Sequence, residues 1–271
     1  MEEIESLEEN IEEIEEEVEF KEEKKEIEKK EIEAKEKLIV NGKRIDGRDF
    51  DELRKFEIYP NVLKKANGSA YIEWGKNKIL AAVYGPREVI PKHVANPYKA
   101  VVRARYLMAP FSSLEGRNKP GPNRRSIEIS KVIKHIFEDL IFTEKFPNTA
   151  IDIFIEVLEG NGSTRCVGIN AAGVALIVSG IPMRDIPVAV SVGKINGNII
   201  VDLIKEEGNY GEADMPLAFL LDTEEILLMQ MDGKMSIDEF KKAIELAFEK
   251  GKIIRERQIE AIKNSFKVTT E

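Results

Sequence analysis

The sequence predicts an α+β fold of sheets backed by helices, and three observations carry that expectation. Short runs of alternating apolar and polar residues recur along the chain, three segments switch to helical spacing, and turn dipeptides separate the runs. The resulting order is strands, helix, strands, helix, strands, helix.

The first strands are expected near 54–60, 70–74, 78–84 and 100–107. Ile129, Val132, Ile133, Ile136, Phe137, Leu140 and Ile141 then recur at helical spacing and place one apolar stripe on 124–142. The second half resembles the first. Residues 149–158 alternate as a strand, 164–179 form a helix of small residues ended by Gly180, and 186–194 form another strand. Asn196-Gly197 is a two-residue hairpin turn leading into 198–204. Strands near 216–221 and 226–231 follow, with Asp232-Gly233 as a turn, and Ser236 caps an amphipathic helix running to about 264 with Asp238 and Glu239 in its first turn.

Residues 1–38 stand apart. They hold 18 acidic and 7 basic side chains, net −11, and no Gly or Pro. Ile4, Leu7, Ile11, Ile14 and Val18 follow an a/d pattern that then decays, so a solvated or frayed helix is expected and a partner-binding helix is the lesser reading. Residues 39–271 carry 32 acidic and 34 basic side chains, net +2, so the chain's overall −9 does not argue against a polyanionic partner for the body. A single cysteine, Cys166, excludes an internal disulfide and reads as a small buried residue. Only His93 and His135 are available for histidine chemistry, and His135, beside the apolar stripe, reads as structural. The longest weakly polar run, 169–181, is too short for a bilayer, and the acidic start does not resemble a secretory signal, so a cytoplasmic protein is expected.

Three strings carry chemistry. Glu159-Gly160-Asn161-Gly162-Ser163-Thr164-Arg165 lies between a strand and a helix, where glycines allow close approach, helix N–H groups attract an anion, Ser163 and Thr164 offer hydroxyls and Arg165 a planar fork. Alone, it reads first as a turn and an N-cap. The basic loop Arg117-Asn118-Lys119-Pro120-Gly121-Pro122-Asn123-Arg124-Arg125 is either solvated or a clamp on successive phosphates of a single strand. Gly211-Glu212-Ala213-Asp214-Met215-Pro216, preceded by Asp202, Glu206 and Glu207, reads as turn acids or as a Mg²⁺ site. Lys92 and His93 form a basic surface pair on a loop, and Trp74 and Tyr71 read as sheet packing.

These strings, with Arg44-Ile45-Asp46-Gly47-Arg48, Asn67-Gly68-Ser69-Ala70-Tyr71, Met108-Ala109-Pro110-Phe111-Ser112, Phe146 to Asp152 and Gly180 to Asp185, together resemble the RNase PH family over most of residues 43–265. Within that family the likeness is to the catalytic ring subunits of archaeal exosomes. It implies an RNase PH-like fold with duplicated βαβ-type halves, of the ribosomal protein S5 domain 2-like kind. It also implies a hexameric ring alternating with a related inactive subunit, topped by RNA-binding cap proteins. The implied activity is phosphate-dependent 3′→5′ shortening of RNA to nucleoside diphosphates, reversible to tailing, with inorganic phosphate as co-substrate and Mg²⁺. By the same likeness Gly162, Ser163, Thr164 and Arg165 form the phosphate site, and Arg124 and Arg125 hold RNA near its 3′ end. Asp214 is the catalytic acid or metal-associated carboxylate, Arg165 is catalytic, and Lys92 lies at the pore neck. One departure stands out: where relatives often carry a second Asp six residues before Asp214, this chain has Gly208, so Glu206 or Glu207 is expected to reach the metal through water. A homohexameric tRNA-trimming RNase PH, a non-catalytic RNA-binding ring subunit, and a scaffold built on residues 1–38 remain as alternatives.

Overall fold

The computed structural model describes residues 38–113 and 121–267, so the readings of the acidic extension and of loop residues 117–120 lie outside the described residues. Leu38, grouped by composition with the extension, is buried with Ile195, Ile200 and Leu203 and belongs to the body.

A short hairpin, β1 (Ile39–Val40) and β2 (Lys43–Arg44), precedes the first sheet. That sheet comprises β3 (Phe56–Pro60), β4 (Gly68–Trp74), β5 (Asn77–Glu88), β6 (Val101–Met108) and β7 (Thr149–Glu159), in the order β3-β4-β5-β7-β6. β6 and β7 run parallel and are joined through α1 (Arg124–Leu140), a β-α-β crossover; the other pairs are antiparallel. α1 buries Ile129, Ile133, Ile136, Phe137 and Leu140, the stripe that its spacing predicts.

α2 (Thr164–Val178) has 12 buried residues among its 15 and packs against both sheets. Its small side chains are what permit this. At Gly68 on β4, a Cβ would stand 2.1 Å from the Ala175 carbonyl oxygen, so strand and helix touch backbone to backbone.

The second sheet is antiparallel: β8 (Val188–Ile195), β9 (Asn198–Val201), β10 (Ala213–Phe219) and β11 (Ile226–Met229) stand in the order β11-β10-β8-β9, and β12 (Asp232–Gly233) pairs the start of β10. Among the described residues the parallel crossover is confined to the first half. α4 (Ile237–Lys267) starts at a capping box in which Ser236 and Glu239 each accept the other's N–H. No helix among the described residues is long and apolar enough to cross a membrane.

Two local readings change. The strand expected over 198–204 stops at Val201, because Asp202 turns to φ +58 and its carboxylate takes the Arg54 guanidinium (2.6 and 3.0 Å) and the Trp74 indole N–H (2.9 Å). A short helix, α3 (Lys205–Tyr210), follows, which periodicity does not predict. Conversely β10 starts at Ala213, so Asp214 lies on a strand instead of in a turn.

The Arg44–Arg48 motif is a buried latch across these elements. Arg44 clasps the Glu207 carboxylate (2.8 and 2.5 Å) and donates to the Val201 and Asp202 carbonyls, while Arg48 donates to the Asp202 carbonyl and to its own neighbour Asp46. A buried ion pair is stabilising only when its remaining polar atoms are satisfied, and here every guanidinium edge of Arg44 has a partner.

Candidate active site

A cleft of ≈ 690 Å³ opens where the two halves meet, walled by the start of α1, the loop into α2, α3 and the β10–β12 end of the second sheet. The loop is the central element. Gly162 adopts φ +75 with its Cα packed so closely that a Cβ would lie 2.4 Å from the Ile204 carbonyl carbon, a position open only to glycine. Ser163 follows at φ +56, a left-handed conformation that a hydroxyl anchor compensates: Ser163 Oγ donates to the Leu203 carbonyl (2.6 Å) and shares a hydrogen bond with Ser191 Oγ (2.5 Å). Thr164 Oγ1 accepts from the buried Tyr106 hydroxyl (2.8 Å).

Ser163 thus gives its hydroxyl proton to the fold, whereas Thr164 is an acceptor in its bond to Tyr106, and both residues line the cleft. The loop also offers backbone: no side chain caps α2 among the described residues, and its first N–H groups are those a helix leaves without intrahelical acceptors. Arg165 lines the cleft beside them, its Nη2 3.1 Å from Glu128 Oε2 on α1. Glu128 in turn accepts from Gln230 Nε2 (2.9 Å). Glu128 is half-exposed, and its single contact with Arg165 leaves room for an incoming anion to compete for the guanidinium.

Asp214 faces the same cleft from β10, and its Oδ1 is buried without a hydrogen-bond partner. Burial pushes its carboxyl pKa up to about 6, against the opposing pull of the Arg165 and Arg125 charges and with a smaller push from Asp232. Asp232, on β12, is the direct cross-strand partner of Asp214. A carboxyl at that pKa exchanges its proton near neutrality, next to a cationic, N–H-rich pocket suited to phosphate.

Gly208 on α3 also lines the cleft, and a Cβ there would lie 3.7 Å from Asp214 Oδ2, so that position faces Asp214 and this chain places no carboxylate on it. Glu207 does not fill the gap, contrary to its assignment as a metal ligand. It is wholly buried, both oxygens held by Arg44 and one also accepting from the Ile204 N–H (3.0 Å), because α3 needs this residue to cap and latch itself. Glu206 is not among the residues lining the cleft. Among the described residues no group of three His, Cys, Asp or Glu side chains is placed to hold a metal.

Arg124 and Arg125 open α1 behind a capping box between Asn123 and Ser126, and of the two it is Arg125 that lines the cleft. Lys92 sits apart in a turn of 3-10 helix, exposed and paired with Glu88 (3.0 Å). Cys166 is buried, as its type suggests. Glu128, Gln230 and Asp232 escaped the sequence reading. Glu128 lies three and four residues beyond the two arginines, one helical turn along, which was a usable signal. Asp232 shows in sequence only as half of a turn dipeptide, and its facing of Asp214 comes from strand register.

The model of the 3′ exoribonuclease family's domain 1 matches residues 52–182, and that of its domain 2 matches 185–250. The exosome complex component Rrp41 of Pyrococcus abyssi is 57% identical over 226 residues, covering 83% of this chain and 90% of that one. Its Archaeoglobus fulgidus counterpart is 56% identical over 230 residues, covering 84% and 89%. Among solved structures, rice Rrp46 superposes with TM-score 0.73 at 26% identity, over 81% of this chain and all of that one. A chain of the Archaeoglobus fulgidus exosome with RNA bound to the active site superposes with TM-score 0.71 at 26% identity, over 85% and 98%.

Proposed function

The chain belongs to the 3′ exoribonuclease (RNase PH) family, and on that premise we propose that the cleft between its two halves is where inorganic phosphate meets the 3′ end of RNA. As a member of this family and a close relative of archaeal Rrp41, the protein is a phosphorolytic 3′→5′ exoribonuclease of the exosome type. The observation that supports the site assignment is the juxtaposition of Arg165 and the uncapped α2 N-terminus with Asp214 across one cleft.

In this reading phosphate sits against the Gly162–Arg165 backbone and the Arg165 guanidinium, which draw two anions together and offset their repulsion. A phosphate oxygen forms a bond to the phosphorus of the terminal phosphodiester as the bond to the penultimate 3′ oxygen breaks. Asp214 donates its proton to that leaving oxygen, and a nucleoside diphosphate departs. One phosphodiester is exchanged for one diphosphate linkage, so high diphosphate concentrations reverse the step into tailing. Arg125 holds the RNA phosphates at the cleft mouth, with Arg124 beside it and Lys92 farther along the strand's path.

The site also fits Mg²⁺, because Asp214 carries an orphaned buried oxygen and Asp232 stands directly across the strand pair. Ionised, those two carboxylates would hold the ion through its waters, and it would neutralise charge on the phosphate oxygens, as an alternative to proton donation by Asp214. We place the chain in a cytoplasmic hexameric ring, alternating with a related inactive subunit beneath RNA-binding cap proteins.

Incubating the chain, alone and with a sister subunit, with 3′-labelled RNA tests the reading. Diphosphates released only when phosphate is present, and lost in Arg165→Ala and Asp214→Asn, are the expected result. Full phosphate-dependent degradation by either variant would sink the role assignment.

A further inference from the structure

We propose that Asn77, aided by Arg54, is a positioning residue for phosphate, holding the anion loop from behind so that its N–H groups face the cleft; this rests on the reading of Gly162–Arg165 as the phosphate site. Asn77 is fully buried at the start of β5, just after the tight turn out of β4. Its side-chain amide grips two successive loop residues: Oδ1 accepts from the Asn161 N–H (2.5 Å) and Nδ2 donates to the Gly162 carbonyl (2.8 Å). The Asn161 carbonyl is taken in turn by Arg54 Nη1 (2.7 Å), whose remaining edges are locked on Asp202. Neither Asn77 nor Arg54 lines the cleft.

The consequence is electrostatic. A carbonyl oxygen carries partial negative charge, and one turned into the cleft would repel phosphate and compete for Arg165. With the carbonyls of Asn161 and Gly162 tied to side chains outside the cleft, the left-handed turn at Ser163 delivers α2 to the cleft donor-end first. Gly162 itself is wedged against Ile204 and Lys205, so the loop has no room to relax if the clamp is lost without disturbing α3 as well.

The same chain supplies a matched comparison. Asn170, also fully buried, grips Ala189 in the same two-ended way (2.7 and 2.9 Å), but on the β8 side, away from the loop. Removing either amide should cost similar stability; only Asn77 should govern the anion.

The experiment uses the full chain with Asn77→Ala, the milder Asn77→Ser, Arg54→Lys and Asn170→Ala, reading melting temperature, calorimetric affinity for inorganic phosphate, and RNA affinity by anisotropy. Losing one or two oriented backbone contacts should weaken phosphate by about tenfold in the Asn77 variants and by a comparable factor in Arg54→Lys, while RNA affinity stays within about twofold. Asn170→Ala should lower the melting temperature like Asn77→Ala and leave phosphate affinity alone. Unchanged phosphate affinity in a folded Asn77 variant, or an equal loss in Asn170→Ala, overturns the proposal. Absence of phosphate binding by the wild-type chain would instead remove the site assignment on which it rests.

Discussion

Asp214→Asn should make the protein more stable and inactive at once. The carboxyl pKa rises from 3.8 to about 6 on folding because the group is buried, so keeping it ionised at pH 8 costs the folded state about 3 kcal/mol. The sign follows from the direction of that shift. Above pH 6 the folded state carries the whole penalty; as pH falls through 6 the folded carboxyl takes up a proton that the unfolded one does not, and below about 3.8 both are protonated and the difference vanishes. Asn has the same shape and no charge, so Asp214→Asn should gain up to about 3 kcal/mol at pH 8, or roughly 6–12 °C in melting temperature, shrinking to nothing near pH 4. Its phosphorolytic rate should fall by about 10²–10⁴, the usual contribution of a positioned general acid. Thermal melts from pH 4 to 8 in chelator, with phosphate-dependent RNA degradation measured alongside, make the check. A variant no more stable than wild type at pH 8, or a difference independent of pH, would show that burial does not govern Asp214.

Other perturbations separate the remaining roles. Glu207→Ala strands the buried Arg44 guanidinium and should destabilise by about 3–5 kcal/mol, whereas Glu207→Gln, where it folds, should leave Mn²⁺ affinity unchanged; a selective loss of Mn²⁺ binding would restore Glu207 as a ligand. Gly208→Asp places a carboxylate beside Asp214 and should tighten Mn²⁺ binding by about tenfold in calorimetry, without loss of fold, since the position is exposed. Gly162→Ala forces a Cβ into the Ile204 backbone at φ +75; stability should drop by more than about 1 kcal/mol, with phosphate affinity falling further than RNA affinity. Arg125→Ala should weaken RNA binding and reduce its salt slope by about 1, and Arg124→Ala, outside the cleft, should affect degradation less.

Much of this architecture was legible because it rests on local rules. The stripe from Ile129 to Leu140 matches the buried face of α1, Ser236 marks the start of α4, and Asn196-Gly197 marks the β8–β9 hairpin, since periodicity, capping and turn chemistry each act within a few residues. The glycine-hydroxyl-arginine string was visible as an anion-site candidate for the same reason. What its hydroxyls do was not legible: that Ser163 donates to the Leu203 carbonyl and Thr164 accepts from the Tyr106 hydroxyl depends on partners 40 and 58 residues away.

By itself, then, the sequence determined the main helices and most strands, which faces are apolar, and that a glycine-rich turn, a candidate for binding an anion, precedes a helix of small residues. Tertiary structure decided the rest. It set Asp202 and Glu207 into ion pairs with Arg54 and Arg44, brought Asp232 opposite Asp214 through strand register, and tied the loop carbonyls to Asn77 and Arg54. Charge and hydrogen-bond partners of buried groups are chosen by whatever the fold carries within about 3 Å, and that proximity is not written in spacing along the chain.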